Sequence, residues 1–365
     1  MKVTAPHFGN VHLAAKALFD GLGIEYVMPP MNNKIALELG SKNSPEEMCL
    51  PYKIMMGNFF QAMELGADTA ILPGSCGPCR FGKYAELQMN TFKSLGRDLD
   101  FVVIDSPVEL GLSELFNRIN KISSHSKESR YGQIKSLLKA KRVMNLIDEI
   151  ESRAHFLSGY EKNKGEAKDI LSRCKNDALE ASCPDQMIRV MDYYRNKQKS
   201  IEVDRDKRPI KIAIIGEIYT IIEPFSNFNL EDKLMDYGVT FSRKLTPSWW
   251  MKDLMLKPLG LNSLKINQKA KDYLPLGVGG HGKECVGEAV LAREEGYDGA
   301  IQVFPLGCMP EIVSKSILPT ISADLDFPIM SLVVDEMSGE AGFVTRVEAF
   351  IDLLERRRAN ELPRA

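Results

Sequence analysis

Two segments far apart in the chain share one order of features, and this repetition constrains the fold more tightly than composition does. CLPYKIMMGNFFQAMELGADTAILPGSC runs from Cys49 through a helical stretch to Gly66, Asp68, a strand, Pro73 and Cys76. CVGEAVLAREEGYDGAIQVFPLGC runs from Cys285 through the same succession to Gly296, Asp298, a strand, Pro305 and Cys308. In each half one cysteine is read as opening a helix. A second stands just past the carboxyl end of the following strand, the edge at which open parallel sheets place ligands. Two copies predict two related lobes facing one shared site.

The surrounding pattern supports an α/β class. Residues 2–6 and 25–28 read as extended, 11–22 as a helix, and 51–65 as a helix whose Met55, Phe59 and Met63 recur every four residues on one face. Residues 68–72 and 101–104 read as buried parallel strands around a helix at 84–95. From 112 to 199 the chain is charged, helix-favouring and poor in glycine and proline. The α/β pattern resumes with strands at 210–215, 299–304 and 329–334, a helix near 230–237 and a last helix at 342–358. The expected organisation is an N-terminal α/β lobe over 1–110, a helical subdomain over 111–205 and a C-terminal α/β lobe over 206–365. Both lobes are expected to be Rossmann-like with parallel sheets, and a metal cluster is expected between them.

Composition excludes several classes. In 365 residues, 47 Lys+Arg against 49 Asp+Glu leave a net charge of -2, which argues against a nucleic-acid or polyphosphate binder. No apolar run approaches the roughly 20 residues of a membrane helix, and the first residues lack a basic, apolar leader, so no membrane partner and a cytoplasmic location are expected. Seven cysteines, an odd number in a reducing compartment, argue against a disulfide framework and for metal or redox chemistry.

The CGPC run at 76–79 suggests a dithiol of the thioredoxin type, but that reading leaves the distant cysteines unexplained. Iron–sulfur clusters need several thiolates on loops and helix starts, where backbone N–H groups also reach the sulfurs. Cys49, Cys76, Cys79, Cys285 and Cys308 all fall at such places, with Cys183, before Pro184 at a helix break, as the next candidate. Zinc is the competing metal, but only one C-x2-C pair is present. Cys174 lies inside a helical stretch and reads as a structural thiol. The run GVGGHGK at 277–283 has a P-loop outline, yet Glu284 stands where a magnesium-binding hydroxyl is required and no strand precedes it. Gly279, Gly280 and Gly282 are read instead as a turn whose N–H groups approach an anionic cluster. Arg80, directly after Cys79, is read as a cation beside that cluster, and His281 and Glu223 are the candidate proton-transfer residues. Among other charges, Glu47, Lys53 and Lys83 accompany the first cysteine group, and Glu217 and Glu311 the second.

With these residues in view, EEMCLPYK at 46–53, GADTAILPGSCGPCRFGKY at 66–84, GEIYTIIEPFSNFNLEDKLMDYGV at 216–239, YDGAIQVFPLGCMPEIV at 297–313 and DFPIMSLVVDEMSGEAGFVTRVEAF at 326–350 resemble the 2-hydroxyacyl-CoA dehydratase and benzoyl-CoA reductase superfamily. The similarity is greatest to its double-cubane cluster proteins and activase-associated relatives, and it covers both α/β halves but not the helical insert. The resemblance implies cysteine-held iron–sulfur clusters and electrons delivered by a separate actin- or sugar-kinase-like ATPase carrying its own cluster. Carried over, Cys49, one of Cys76 or Cys79, and Cys308 match the three ligands of the dehydratase [4Fe-4S] cubane. The double-cubane [8Fe-9S] branch uses six thiolates, the sixth here being Cys183 or Cys174. The implied activity is a low-potential, ATP-dependent reduction of small molecules. An (R)-2-hydroxyacyl-CoA dehydratase subunit and a non-catalytic electron carrier or scaffold are the alternatives, and a homodimer is one assembly the resemblance admits.

Overall fold

The computed structural model describes residues 1–74, 79–104, 111–256 and 263–361. The chain divides into two compact units. One comprises Met1–Glu151, Ile170–Lys199 and Thr246–Asn262; the other comprises Ser152–Asp169, Ser200–Leu245 and Ser263–Ala365. Residues 111–205 are thus shared between the two.

Each unit carries one four-stranded parallel sheet, so the α/β expectation is met at this level. In the first unit, β1 (Lys2–Thr4), β2 (Glu25–Tyr26), β3 (Thr69–Pro73) and β4 (Asp100–Ile104) lie in the order β2-β1-β3-β4. In the second, β5 (Lys211–Gly216), β6 (Thr240–Ser242), β7 (Gly299–Pro305) and β8 (Ile329–Val334) lie in the order β6-β5-β7-β8. Parallel neighbours need crossover connections. Helices α1 (Val11–Leu22), α2 (Lys34–Lys42), α3 (Leu50–Glu64) and α4 (Tyr84–Ser94) provide them in the first unit. The charged middle of the chain forms α5 (Leu112–Ser123), α6 (Arg130–Leu157), α7 (Glu166–Leu179) and α8 (Pro184–Lys197). The remainder forms α9 (Ile218–Ile222), α10 (Leu230–Asp236), α11 (Pro247–Leu256), α12 (Leu264–Ala270), α13 (Gly282–Glu294), α14 (Met309–Asp324) and α15 (Glu340–Glu361). Among the described residues no helix is long and apolar enough to cross a membrane.

Strand β7, GAIQVFP, is buried along its whole length, as a strand covered on both faces must be. The first-unit core gathers Val3, Phe19, Leu22 and Ile24. In the second, Ala213, Ile215, Val286, Ala289, Ala300, Leu318 and Phe327 pack together.

The sequence repeat has a structural counterpart. Asp68 accepts the Lys2 N–H on its carboxylate at 2.9 Å and returns its own N–H to the Lys2 carbonyl at 3.0 Å. Asp298 does the same for Lys211, at 2.7 and 2.8 Å. Each aspartate therefore clamps the first residue of the neighbouring strand, and each follows a left-handed glycine, Gly66 (φ 93°) or Gly296 (φ 78°). A second glycine in each preceding helix permits backbone contact with the helix before it. A Cβ on Gly57 would lie 1.8 Å from the Ala36 carbonyl oxygen, and one on Gly287 would lie 2.2 Å from that of Ile266. Gly57 and Gly287, Gly66 and Gly296, and Asp68 and Asp298 stand at one constant offset in the chain.

Candidate functional site

In the first unit, Cys49 is the extended residue that caps α3 (φ -68°, ψ 156°), with a proline in the first turn behind it. A cap in this conformation turns the chain into the helix, and its carbonyl accepts the Tyr52 N–H at 3.0 Å. Cys79 holds the same position before the 3-10 turn Arg80–Lys83, which leads straight into α4. Side chains tie the two cysteine segments together. Tyr84 Oη lies 2.7 Å from Cys49 Sγ, and the Arg80 guanidinium donates to the Glu47 carbonyl. Lys53 is buried and donates to the Glu46 carbonyl at 3.2 Å, while Lys83 pairs with Glu86 at 2.9 Å on the surface. Cys76 lies outside the described residues.

In the second unit, Cys308 caps α14 in an extended conformation (φ -71°, ψ 101°) and stands three residues beyond the end of β7. Cys79 stands six residues beyond the end of β3. The two turns begin alike: the Gly74 N–H returns to the Ile104 carbonyl at 2.7 Å, and that of Leu306 to Val334 at 2.8 Å.

The reading of Cys285 as a helix opener is corrected. It is the fourth residue of α13, its N–H already bonded to the His281 carbonyl at 2.8 Å, and it is 0% exposed inside the apolar cluster. At the constant offset of the repeat it falls opposite Met55, a core residue, and not opposite Cys49. The Glu311 carboxyl lies beside its thiol, and burial together with that carboxylate pushes the thiol well above its usual range. Gln302 Nε2 donates to Glu311 at 2.9 Å, and Ser331 Oγ donates to Gln302 Oε1 at 2.7 Å. Burial pushes Glu311 from 4.5 up to about 7, although Gln302 and Cys285 oppose the rise. Glu288, on the next turn of α13, is 2% exposed with both oxygens unpartnered. Burial pushes it well above the carboxylate range. It lines a cavity of about 10 Å³ with Ser242, Lys244, Glu295 and Tyr297.

The glycine run forms the turn into α13, with Gly279 (φ 83°) and Gly280 (φ 50°) left-handed. Gly282 is in the first turn, where a Cβ would come within 2.7 Å of the Pro310 carbonyl oxygen. Its bareness brings α13 against the segment that follows Cys308. Lys283 turns back to the Pro275 carbonyl at 3.0 Å. His281 caps α13. Glu223 is buried at the end of α9, and its carbonyl accepts the Ser226 hydroxyl at 2.7 Å. Glu217 caps α9, accepting the Tyr219 and Thr220 N–H groups at 3.0 and 2.9 Å, and burial raises its carboxyl.

Cys183 caps α8 (φ -155°, ψ 160°) and is partly exposed. Cys174 is fully buried in α7, and burial pushes its thiol up to about 12. Among the described residues no three cysteine sulfurs lie within 4.8 Å of one another. Sequence reasoning missed the Tyr84 contact and Glu288. It also missed the second-unit pair of His155 and Glu231, 3.6 Å apart, whose carboxylate Arg243 also engages at 2.5 Å.

Tested against thiolate ligation, the described cysteines separate into two kinds. Cys49, Cys79, Cys183 and Cys308 are partly exposed residues at the starts of helices or, for Cys79, of a 3-10 turn. Cys174 and Cys285 are enclosed, and neither burial nor a neighbouring carboxylate favours a thiolate. No family model matches this chain, and no curated protein matches it.

Proposed function

We propose that this chain is an iron–sulfur protein that delivers low-potential electrons to a small molecule and is charged by a separate ATP-hydrolysing partner. The observation that carries the reading is the shared placement of Cys49, Cys79 and Cys308. All three are partly exposed, extended helix caps, and Cys79 and Cys308 follow equivalent strands of two sheets with the same order. These are the positions, Cys79 being one of the two options, that the family resemblance assigns to a [4Fe-4S] cluster. A bound cluster would supply one-electron transfer at low potential.

The chain's own groups have definable work in this reading. Cys49, Cys79 and Cys308 offer thiolates at the starts of α3, of the Arg80–Lys83 turn and of α14. Arg80 is anchored at the Glu47 carbonyl and keeps a positive charge beside the two first-unit thiolates. Lys283 is engaged with its own loop, in keeping with an ATPase on another chain. The full double-cubane complement is not assigned, because Cys174 and Cys285 do not fit as ligands.

The test is anaerobic reconstitution with ferrous iron and sulfide, followed by iron and acid-labile sulfide counts per chain. About four irons supports a single cubane and roughly eight a double one. A chain that retains no iron above a Cys49→Ala, Cys79→Ala, Cys308→Ala triple variant would overturn the proposal. Given iron, reduction with and without an activating ATPase and ATP separates a reductase from a passive carrier.

A further inference from the structure

We infer that Tyr84 is a positioning residue for Cys49, its hydroxyl donating a hydrogen bond to the sulfur and thereby setting the reduction potential of a cluster bound there. The inference rests on the iron–sulfur reading of Cys49 above and adds to it a residue which that reading does not contain.

The geometry is specific. Tyr84 Oη and Cys49 Sγ are 2.7 Å apart across 35 residues of sequence. The tyrosine is 4% exposed, so water does not readily replace the contact. Its ring is fixed on two sides, edge-on to Tyr52 with centroids 5.0 Å apart and tilted against Phe81 at 5.0 Å. Tyr52 belongs to the helix that Cys49 caps, and Phe81 to the turn that Cys79 caps. The hydroxyl is thus held by the same two segments that present the candidate thiolates, and side-chain rotation does not carry it away.

The direction of the bond follows from proton inventory. A phenol has one proton to give, and a ligating thiolate has none, so with sulfur ionised the tyrosine is the donor. A donor at a ligand sulfur stabilises the added negative charge of the reduced state more than the oxidised state, which raises the potential. Tyr84 acts through Cys49.

The test uses the full chain reconstituted anaerobically with iron and sulfide, as wild type, Tyr84→Phe and Tyr52→Phe. Each is assayed for iron per chain and titrated for potential by its visible absorbance. Tyr84→Phe should keep its iron while its reduced-to-oxidised ratio at a fixed poise falls about threefold, roughly 30 mV at 59 mV per tenfold change. Tyr52→Phe, which removes a hydroxyl from the same aromatic pair but not from the sulfur, should leave the potential in place. A full-iron Tyr84→Phe protein with the wild-type potential overturns the inference and leaves the iron–sulfur reading standing. An equal shift in Tyr52→Phe also overturns it, as does iron loss in a folded Tyr84→Phe protein, because either result makes the role one of packing. A wild-type chain that takes up no iron overturns both readings.

Discussion

Gln302, in the middle of the buried strand β7, donates through Nε2 to the Glu311 carboxylate at 2.9 Å, a contact sealed from water at the carboxyl end of the second sheet. The other carboxylate oxygen, Glu311 Oε1, is buried without a hydrogen-bond partner, so a single neutral donor holds the group. This explains why burial dominates and why the carboxyl keeps its proton up to about 7 instead of 4.5.

That retention makes stability pH-dependent with a defined sign. Between about 4.5 and about 7 the folded chain holds a proton on Glu311 that the unfolded chain releases, so stability falls as pH rises through this window. At ~1.36 kcal/mol per pH unit, the whole effect is about 3 kcal/mol. Urea unfolding of wild type and Glu311→Gln at pH 5 and pH 8 should show a smaller loss in the variant. Equal losses in the two proteins would place the proton elsewhere.

Glu288 gives a prediction of opposite practical effect. Its carboxyl is enclosed beside a small cavity with neither oxygen partnered, so ionising it costs desolvation that no hydrogen bond offsets. Replacement by a similarly shaped apolar side chain removes that cost. Glu288→Met should therefore raise stability by about 1–3 kcal/mol at pH 8, and by less at pH 5 where the wild-type carboxyl is neutral. A lower melting temperature at pH 8 would show that Glu288 has a partner or a role that outweighs its burial.

The repeat was legible in the sequence because Gly66 with Asp68 and Gly296 with Asp298 carry backbone tasks that few other residues perform: a left-handed helix exit and a clamp on the adjacent strand. The cysteines misled where matching by residue type replaced matching by register. Cys285 resembles Cys49 only in identity, and in register it is a core position opposite Met55. Helix α14, which carries Pro319 in its interior, was not among the expected elements. Glu288 and Tyr84 were illegible for another reason. Their environments are made by residues distant in sequence, and a glutamate in a helix or a tyrosine at its start carries no local sign of what will enclose it.

Gly57 provides a test of how α3, and with it Cys49, is seated. Its Cβ would enter the Ala36 carbonyl oxygen at 1.8 Å, and neither backbone can yield without moving a helix. Gly57→Ala should cost about 3 kcal/mol or more. Gly66→Ala meets nothing nearer than the flexible end of Lys2 at 3.8 Å, so it should cost only the left-handed backbone strain, about 1–2 kcal/mol. Denaturant midpoints of the two variants compared with wild type check the ranking, and a reversed order would mean that α2 and α3 do not cross closely at Gly57.

The last prediction separates the two kinds of cysteine. Cys308 caps α14 and is partly exposed, whereas Cys285 is enclosed with its thiol beside Glu311. After anaerobic reconstitution, Cys308→Ala should lose iron, while Cys285→Ala should retain the wild-type count. The cost of Cys285→Ala should appear in folding, because removing the sulfur opens a small void in the buried cluster, about 1–2 kcal/mol. If Cys285→Ala and Cys308→Ala lose iron equally while remaining folded, then Cys285 leaves Glu311 to bind metal, and the enclosed thiol seen in the structure belongs to the metal-free chain alone.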